Sequence, residues 1–200
     1  MKLTLGFIAA LLACSATTYA QGPSGGIRAG VNLADLSFSS ETEVTDSKNL
    51  TGLVVGGFAT VPLTGIVAFQ PEVLFSRQGT RFSEQGQTAK IKIDYVQVPL
   101  LGRFGFAKNS AAAVLVGPSL GFRTRGRIEV PGAPAAFSNE FEDQLARFDL
   151  GLVAGVTADV GKHGVIDGRY TWGLLNIAKD SSEPGTAKNR VFSATAGFRF

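Results

Sequence analysis

The sequence predicts an all-β protein, an eight-stranded antiparallel up-and-down transmembrane β-barrel, on three observations. Apolar and polar residues alternate with period two along most of the chain, the periodicity of a strand rather than a helix. The longest uncharged stretch beyond the leader region, Asn49 to Pro71, has the length of a membrane-spanning helix and the composition of two strands. The connections between alternating segments are long and short in turn, the plan of a barrel with loops at one end and tight turns at the other.

The first element is a leader. MKLTLGFIAALLACSATTYAQG carries an early lysine, an apolar run from Leu3 to about Cys14 and a small-residue site at Thr18-Tyr19-Ala20, so residues 1–20 are expected to be a secretory signal peptide cut after Ala20. The competing reading lipidates Cys14 in Leu11-Leu12-Ala13-Cys14, where the leucine two before the cysteine is not the favoured residue. Cys14 is the only cysteine, so residues 21–200, the expected barrel domain, hold no disulfide and need a large core or a membrane for stability. The formal charge falls from +3 to +2 without Lys2, too balanced for a nucleic-acid partner. With 25 glycines and 15 phenylalanines in a chain 44% hydrophobic, neither long helices nor disorder fits.

Strands are expected near 26–34, 51–61, 66–77, 91–106, 111–126, 146–160, 165–177 and 190–200. Asn49 to Pro71 contains Pro62, Pro71 and four glycines. A helix interior tolerates these at about 1 kcal/mol per glycine and about 3 per proline, so the stretch reads as two strands around a turn at Pro62 to Gly65. Residues 35–50, 78–90, 127–145 and 178–189 form long polar connections, and Pro62–Gly65, Ala107–Ser110 and Gly161–Gly164 form short ones. Pro71, Pro99 and Pro118 fall inside strands that have no free edge, and β-bulges are the expected accommodation. The last strand, RVFSATAGFRF, is expected to pair with the first near Ile27 to Leu33, because an open edge in hydrocarbon leaves backbone groups unsatisfied.

One face of these strands carries Val67, Phe69, Val73, Phe75, Val96, Val98, Leu100, Phe104, Phe148, Leu150, Leu152, Val156, Ile166, Tyr170, Trp172, Leu174 and the last phenylalanines. Across from them lie Gln70, Glu72, Ser76, Tyr95, Gln97, Arg103, Arg147, Asp149, Asp159, Asp167, Arg169 and Arg199. Periodicity does not decide which face meets water, but so many large apolar groups would overfill an eight-stranded interior, which has room only for side chains. The polar face is therefore expected inside, with Glu72, Arg103, Asp149, Asp167, Arg169 and Arg199 as an interior charge network. Pairings of Glu72 with Arg103, and of Asp149 and Asp167 with Arg169, are the ones considered. Such pairs suggest acid–base chemistry less readily than a buried ionic plug in which every charge needs a partner.

The single histidine, His163, sits in the Gly161–Gly164 turn, where a solvated side chain is the expectation and a hydrolase base has no second histidine to help it. Glu41, Glu43, Asp46, Asp180 and Glu183 lack the spacing of a calcium loop. Gly151 and Gly155 imitate a helix-dimerisation motif but fall on the inward parity of a strand. Asn139 to Phe148 could hold a helical turn kept wet by Glu140, Glu142 and Asp143. No catalytic, cofactor-binding or metal-binding residue is expected.

GIRAGVNLADL at 26–36, FQPEVLFSRQG at 69–79, IDYVQVPLLGRFGF at 93–106, VGPSLGF at 116–122, IDGRYTWGLLNI at 166–177 and the closing TAGFRF together resemble the PorT-like outer-membrane β-barrels of Bacteroidetes-type bacteria. The resemblance implies a small barrel of OmpA or OmpX shape in the cell outer membrane, without catalytic residues common to the family. It also implies that Phe198 and Phe200 are a terminal assembly signal read by the barrel insertion machinery. The expected function is a non-enzymatic outer-membrane protein with a structural, secretion-associated or interaction role through its long loops. Its expected partners are outer-membrane lipid, that machinery and a protein bound at the loops. A membrane-embedded enzyme and a soluble lipocalin-like lipid carrier are the alternatives, and the loop alternation disfavours the carrier.

Overall fold

The structure, a computed structural model, describes residues 22–39, 47–84, 87–108, 110–129, 146–175 and 186–200. Eight strands run in chain order: β1 (Ser24–Ser39), β2 (Ser47–Pro62), β3 (Val67–Glu84), β4 (Gln87–Gly105), β5 (Ala112–Glu129), β6 (Phe148–Val160), β7 (Gly164–Gly173) and β8 (Thr186–Arg199). Each pairs antiparallel with its sequence neighbours, and β8 returns to β1 to close the barrel. The closing seam places Ile27 opposite Phe198 and Leu33 opposite Phe192. Closure leaves no strand edge, which is what allows a β-structure to lie in hydrocarbon. No helix among the described residues is long and apolar enough to cross a membrane. The uncharged stretch is β2, a turn at residues 63–66 and the start of β3.

The short turns carry their own closures. Backbone N–H groups of Leu63 and Thr64 both donate to the Val67 carbonyl, at 2.8 and 2.9 Å. The Thr64 hydroxyl accepts from the Val67 N–H at 3.1 Å. Residues 161–163 join β6 to β7, with Gly161 at φ 65°, a left-handed conformation that other residues adopt at a cost.

The long connections differ from the sequence expectation, most of all between β3 and β4. Residues 78–90 are not a loop: β3 continues to Glu84 and β4 begins at Gln87, a ribbon with only residues 85–86 between its strands. At the same end β1 runs to Ser39 and β2 starts at Ser47, whereas β7 stops at Gly173, short of the expected 177. The signal segment, Cys14, the loop acids Glu41, Glu43, Asp46, Asp180 and Glu183, and the stretch 139–145 lie outside the described residues.

The strand prolines are accommodated without bulges. Pairing of β2 with β3 is interrupted between Phe58↔Glu72 and Val61↔Phe69, leaving out Pro71. Pairing of β3 with β4 is interrupted between Pro71↔Leu100 and Leu74↔Gln97, leaving out Pro99. Pairing of β4 with β5 is interrupted between Pro99↔Ser119 and Gly102↔Val116, leaving out Pro118. The register is the same on both sides of each gap. A proline lacks one N–H, directed to one neighbour, so each stays in register with the next strand: Pro71 with Leu100, Pro99 with Ser119, Pro118 with Leu152. The register shifts lie elsewhere, between Asn49 and Val54 and between Asp94 and Tyr95.

Strand parity sorts the side chains as the sequence predicts. The outer face of β6 reads Phe148, Leu150, Leu152, Ala154, Val156, Ala158 and Val160 without a polar residue. Exposed aromatics gather toward its two ends, Phe122, Phe148, Trp172 and Phe192 on one side and Phe104, Phe106, Phe198 and Phe200 on the other. Inside, the filling is not purely polar. Leu101, Leu115 and Val153 form a buried apolar cluster, and Val54, Phe58, Leu74 and Val165 are also buried. A barrel this narrow is filled by side chains, and apolar groups pack the space that ion pairs leave.

Candidate functional site: the ionic interior

The inward parity of β1, β3 and β7 brings four charges together across the lumen. Arg169 on β7 donates from Nη1 to Glu72 Oε2 at 2.8 Å, from Nε to Asp167 Oδ1 at 3.0 Å and from Nη2 to Asp167 Oδ2 at 2.9 Å. Arg28 on β1 donates from Nη1 to Asp167 Oδ2 and lies 3.4 Å from Glu72 Oε1. Glu72 also accepts from Gln70 Nε2 at 2.8 Å. The Arg28 guanidinium lies 4.4 Å from the centre of the Phe58 ring, within cation–π reach. Two guanidiniums meet two carboxylates, and the four side chains are 0–4% exposed. Buried charge is tolerable in this form, with each carboxylate reaching both cations.

Room for Arg169 comes from its neighbour on β6. Gly155 is its register partner, and a Cβ there would lie 2.7 Å from the Arg169 Cβ and 2.6 Å from the Gly168 carbonyl oxygen. The glycine that imitated a helix motif thus allows a close approach of strands beside the arginine.

The other expected members lie apart from this cluster. Glu72 pairs with Arg169 and Arg28, not with Arg103. Arg103 and Arg199 share Asp159 at the short-turn end, with contacts of 3.0 Å from Arg103 Nη2 and of 3.1 and 2.8 Å from the two Arg199 Nη atoms. Asp149 does not meet Arg169 either. It accepts from Asn189 Nδ2 at 2.7 Å near the opposite end, where Asn189 also approaches the Tyr95 hydroxyl at 3.4 Å. Between strands β1, β3 and β8, Asn32 donates to Ser76 Oγ at 2.8 Å and accepts from Ser193 Oγ at 2.7 Å.

Sequence reasoning missed Arg28 altogether and left Asp159 on the inner face without a role. The signal for Arg28 was present: Ile27, Ala29, Val31 and Leu33 share one parity, so Arg28 falls on the other, with Asn32. Phe198 and Phe200 face outward at the short-turn rim, their ring centres 6.1 Å apart.

His163 is exposed, and its ring stacks on Phe198 at 5.0 Å. Its Nδ1 lies 2.9 Å from the Arg199 carbonyl oxygen, whose N–H donates to the His163 carbonyl at 2.7 Å. Replacement His163→Ala removes one exposed ring contact and one side-chain contact while the backbone bond stays. We expect a loss of no more than about 1 kcal/mol and unchanged insertion, read from denaturant midpoints in detergent. A collapse of folding would give this turn a larger role than its contacts support.

Residues 19–179 match the family described as outer membrane protein beta-barrel domain. No curated protein matches the chain. Among solved structures, the chain is similar to Ail, the attachment invasion locus protein of Yersinia pestis, in complex with the heparin analogue sucrose octasulfate, with 16% identity and a TM-score of 0.51, covering 90% of this chain and 99% of that one. It is also similar to Neisserial surface protein A, with 14% identity and a TM-score of 0.51 over 90% and 99% of the two chains. At these identities the likeness is one of fold.

Proposed function

Because the chain belongs to the outer membrane protein β-barrel domain family, we propose that it works as a closed, non-enzymatic barrel that presents its loops outward and conducts no bulk solute. It resides in the cell outer membrane. The observation that carries it is the ionic cluster of Arg28, Glu72, Asp167 and Arg169, which joins β1, β3 and β7 across the lumen. Packed beside Leu74 and the Leu101–Leu115–Val153 cluster, these side chains act as a plug. An eight-stranded barrel is just wide enough to be filled in this way.

Reconstitution in planar bilayers tests the plug. The wild-type protein is expected to give no large, stable single-channel steps, and steady currents of porin size would remove the reading.

The loop end is then the working surface, whether for a structural, adhesive or secretion-associated partner. Strands β1–β4 carry it well past the apolar band, as the outward Arg77–Asp94 ion pair at 2.7 Å marks on β3 and β4. Cross-linking from cysteines placed in residues 130–147 of the native-membrane protein tests this surface, and the absence of any specific adduct would count against a protein partner. The finer kinship we propose, to PorT-like barrels, rests on the order of the segments at 26–36, 69–79, 93–106, 116–122 and 166–177 and the closing TAGFRF. Loss of secretion on deleting the protein would support a secretion role, and unaltered secretion would exclude it.

A further inference from the structure

At the short-turn end the barrel opens into a cavity of about 520 Å³, within the range of roughly 300–1,000 Å³ usual for small-molecule sites. Its described wall carries Arg103, Lys162 and Arg199 together with the hydroxyl residues Ser24, Thr60 and Thr64, and no acidic residue. The nearby carboxylate, Asp159, is engaged by both arginines. Two guanidiniums sharing one carboxylate leave a positive charge over, and Lys162 adds a second. Arg199 Nε is moreover buried without a hydrogen-bond partner. Two residues further along β4 from Arg103, Leu101 packs with Leu115 and Val153 in the interior.

We propose that this mouth is an anion-binding vestibule that takes the phosphate or carboxylate group of a small periplasmic solute. Short turns face the periplasm in barrels of this class. Arg199 spends its planar fork on Asp159, whereas Arg103 bonds it through Nη2 and keeps its other donors, with the Lys162 ammonium, for an oxyanion. A concave site with low-dielectric walls concentrates the field of the surplus charge. The blind inner end rests on the plugged reading of the barrel, whereas the anion site does not.

The test is a titration of the full-length processed protein, isotopically labelled in detergent micelles, with inorganic phosphate, acetate or chloride at matched ionic strength. Saturable amide shifts at Arg103, Gly105, Lys162 and Arg199 are expected with phosphate or acetate and not with chloride. Preference for phosphate assigns a phosphorylated ligand, and preference for acetate assigns a carboxylate. Replacement Arg103→Gln is expected to weaken binding about tenfold, the effect of one charge-assisted hydrogen bond. Lys162→Gln, in an exposed turn and outside the Asp159 pairings, provides a variant whose folding is not at risk and is expected to weaken binding about threefold, a solvent-screened charge. Shifts linear in all three salts, or saturable binding that both variants leave unchanged, overturn the vestibule. A barrel that conducts yet binds anions saturably would overturn the plug and leave this site standing.

Discussion

Arg169→Ala is expected to destabilise the folded barrel by about 3–5 kcal/mol, the cost of leaving a buried charge uncompensated. Arg169 is 4% exposed at its side chain and reaches both carboxylates of the central cluster. Without it, Glu72 and Asp167 have Arg28 alone, so two buried negative charges face one positive. The loss is thus larger than the cavity left by the side chain would suggest. The same argument predicts the reverse for a concerted change. Replacing Arg28, Glu72 and Arg169 by Met and Asp167 by Leu removes every charge at similar volume, and buried ion pairs replaced by apolar residues are often neutral or stabilising. Urea titrations of the two proteins in lipid vesicles decide it. A shift of under about 1 kcal/mol for Arg169→Ala would mean that water reaches the cluster and screens it.

The parity of each strand was legible because the membrane imposes it. A chain with lipid on one side and a narrow lumen on the other must alternate, and Leu150/Asp149 or Ile166/Asp167 announce their faces without any structure. Where the ribbon of β3 and β4 leaves the apolar band, that constraint lapses. Residues 78–90 are polar at nearly every position, so the strands there carry no alternation to read and resemble a loop. The partners within the interior were legible only in part. Asp167 and Arg169 are two apart on one strand and share a face by parity alone. Glu72 meeting Arg169 and Arg28, and Arg103 meeting Asp159, depend on which strands lie across the lumen and on how the strands are staggered. That stagger is set when β8 closes on β1, a property of the whole sheet and not of any segment. The prolines misled for a related reason. A bulge is the remedy when one strand must be lengthened, but each proline lacks a donor toward one neighbour only, so a gap in one ladder suffices.

Ala154→Arg should destabilise the inserted, folded barrel by about 2–4 kcal/mol, the cost of an arginine on the lipid face near the bilayer midplane, and lower its folding yield accordingly. Ala154 lies midway between Phe148 and Val160 on the wholly apolar outer face of β6, and its ladders to Val116 and Tyr170 are intact there, so the change adds a charge without disturbing a gap. Val160→Arg, six residues along the same face and at the short-turn rim, should cost only about 0–1 kcal/mol, because the side chain reaches the headgroup layer. The contrast between the two matters more than either value. In water both sites would accept arginine with little effect, as exposed surface positions usually do. A general intolerance of bulk would penalise Ala154→Met as much as Ala154→Arg, and methionine is expected to be harmless in lipid. Folding yields into vesicles of fixed composition, measured for the three variants side by side, give the depth profile directly. Equal yields for Ala154→Arg and Val160→Arg would place this face of β6 outside the hydrocarbon, and the orientation of the barrel in the bilayer would have to be redrawn.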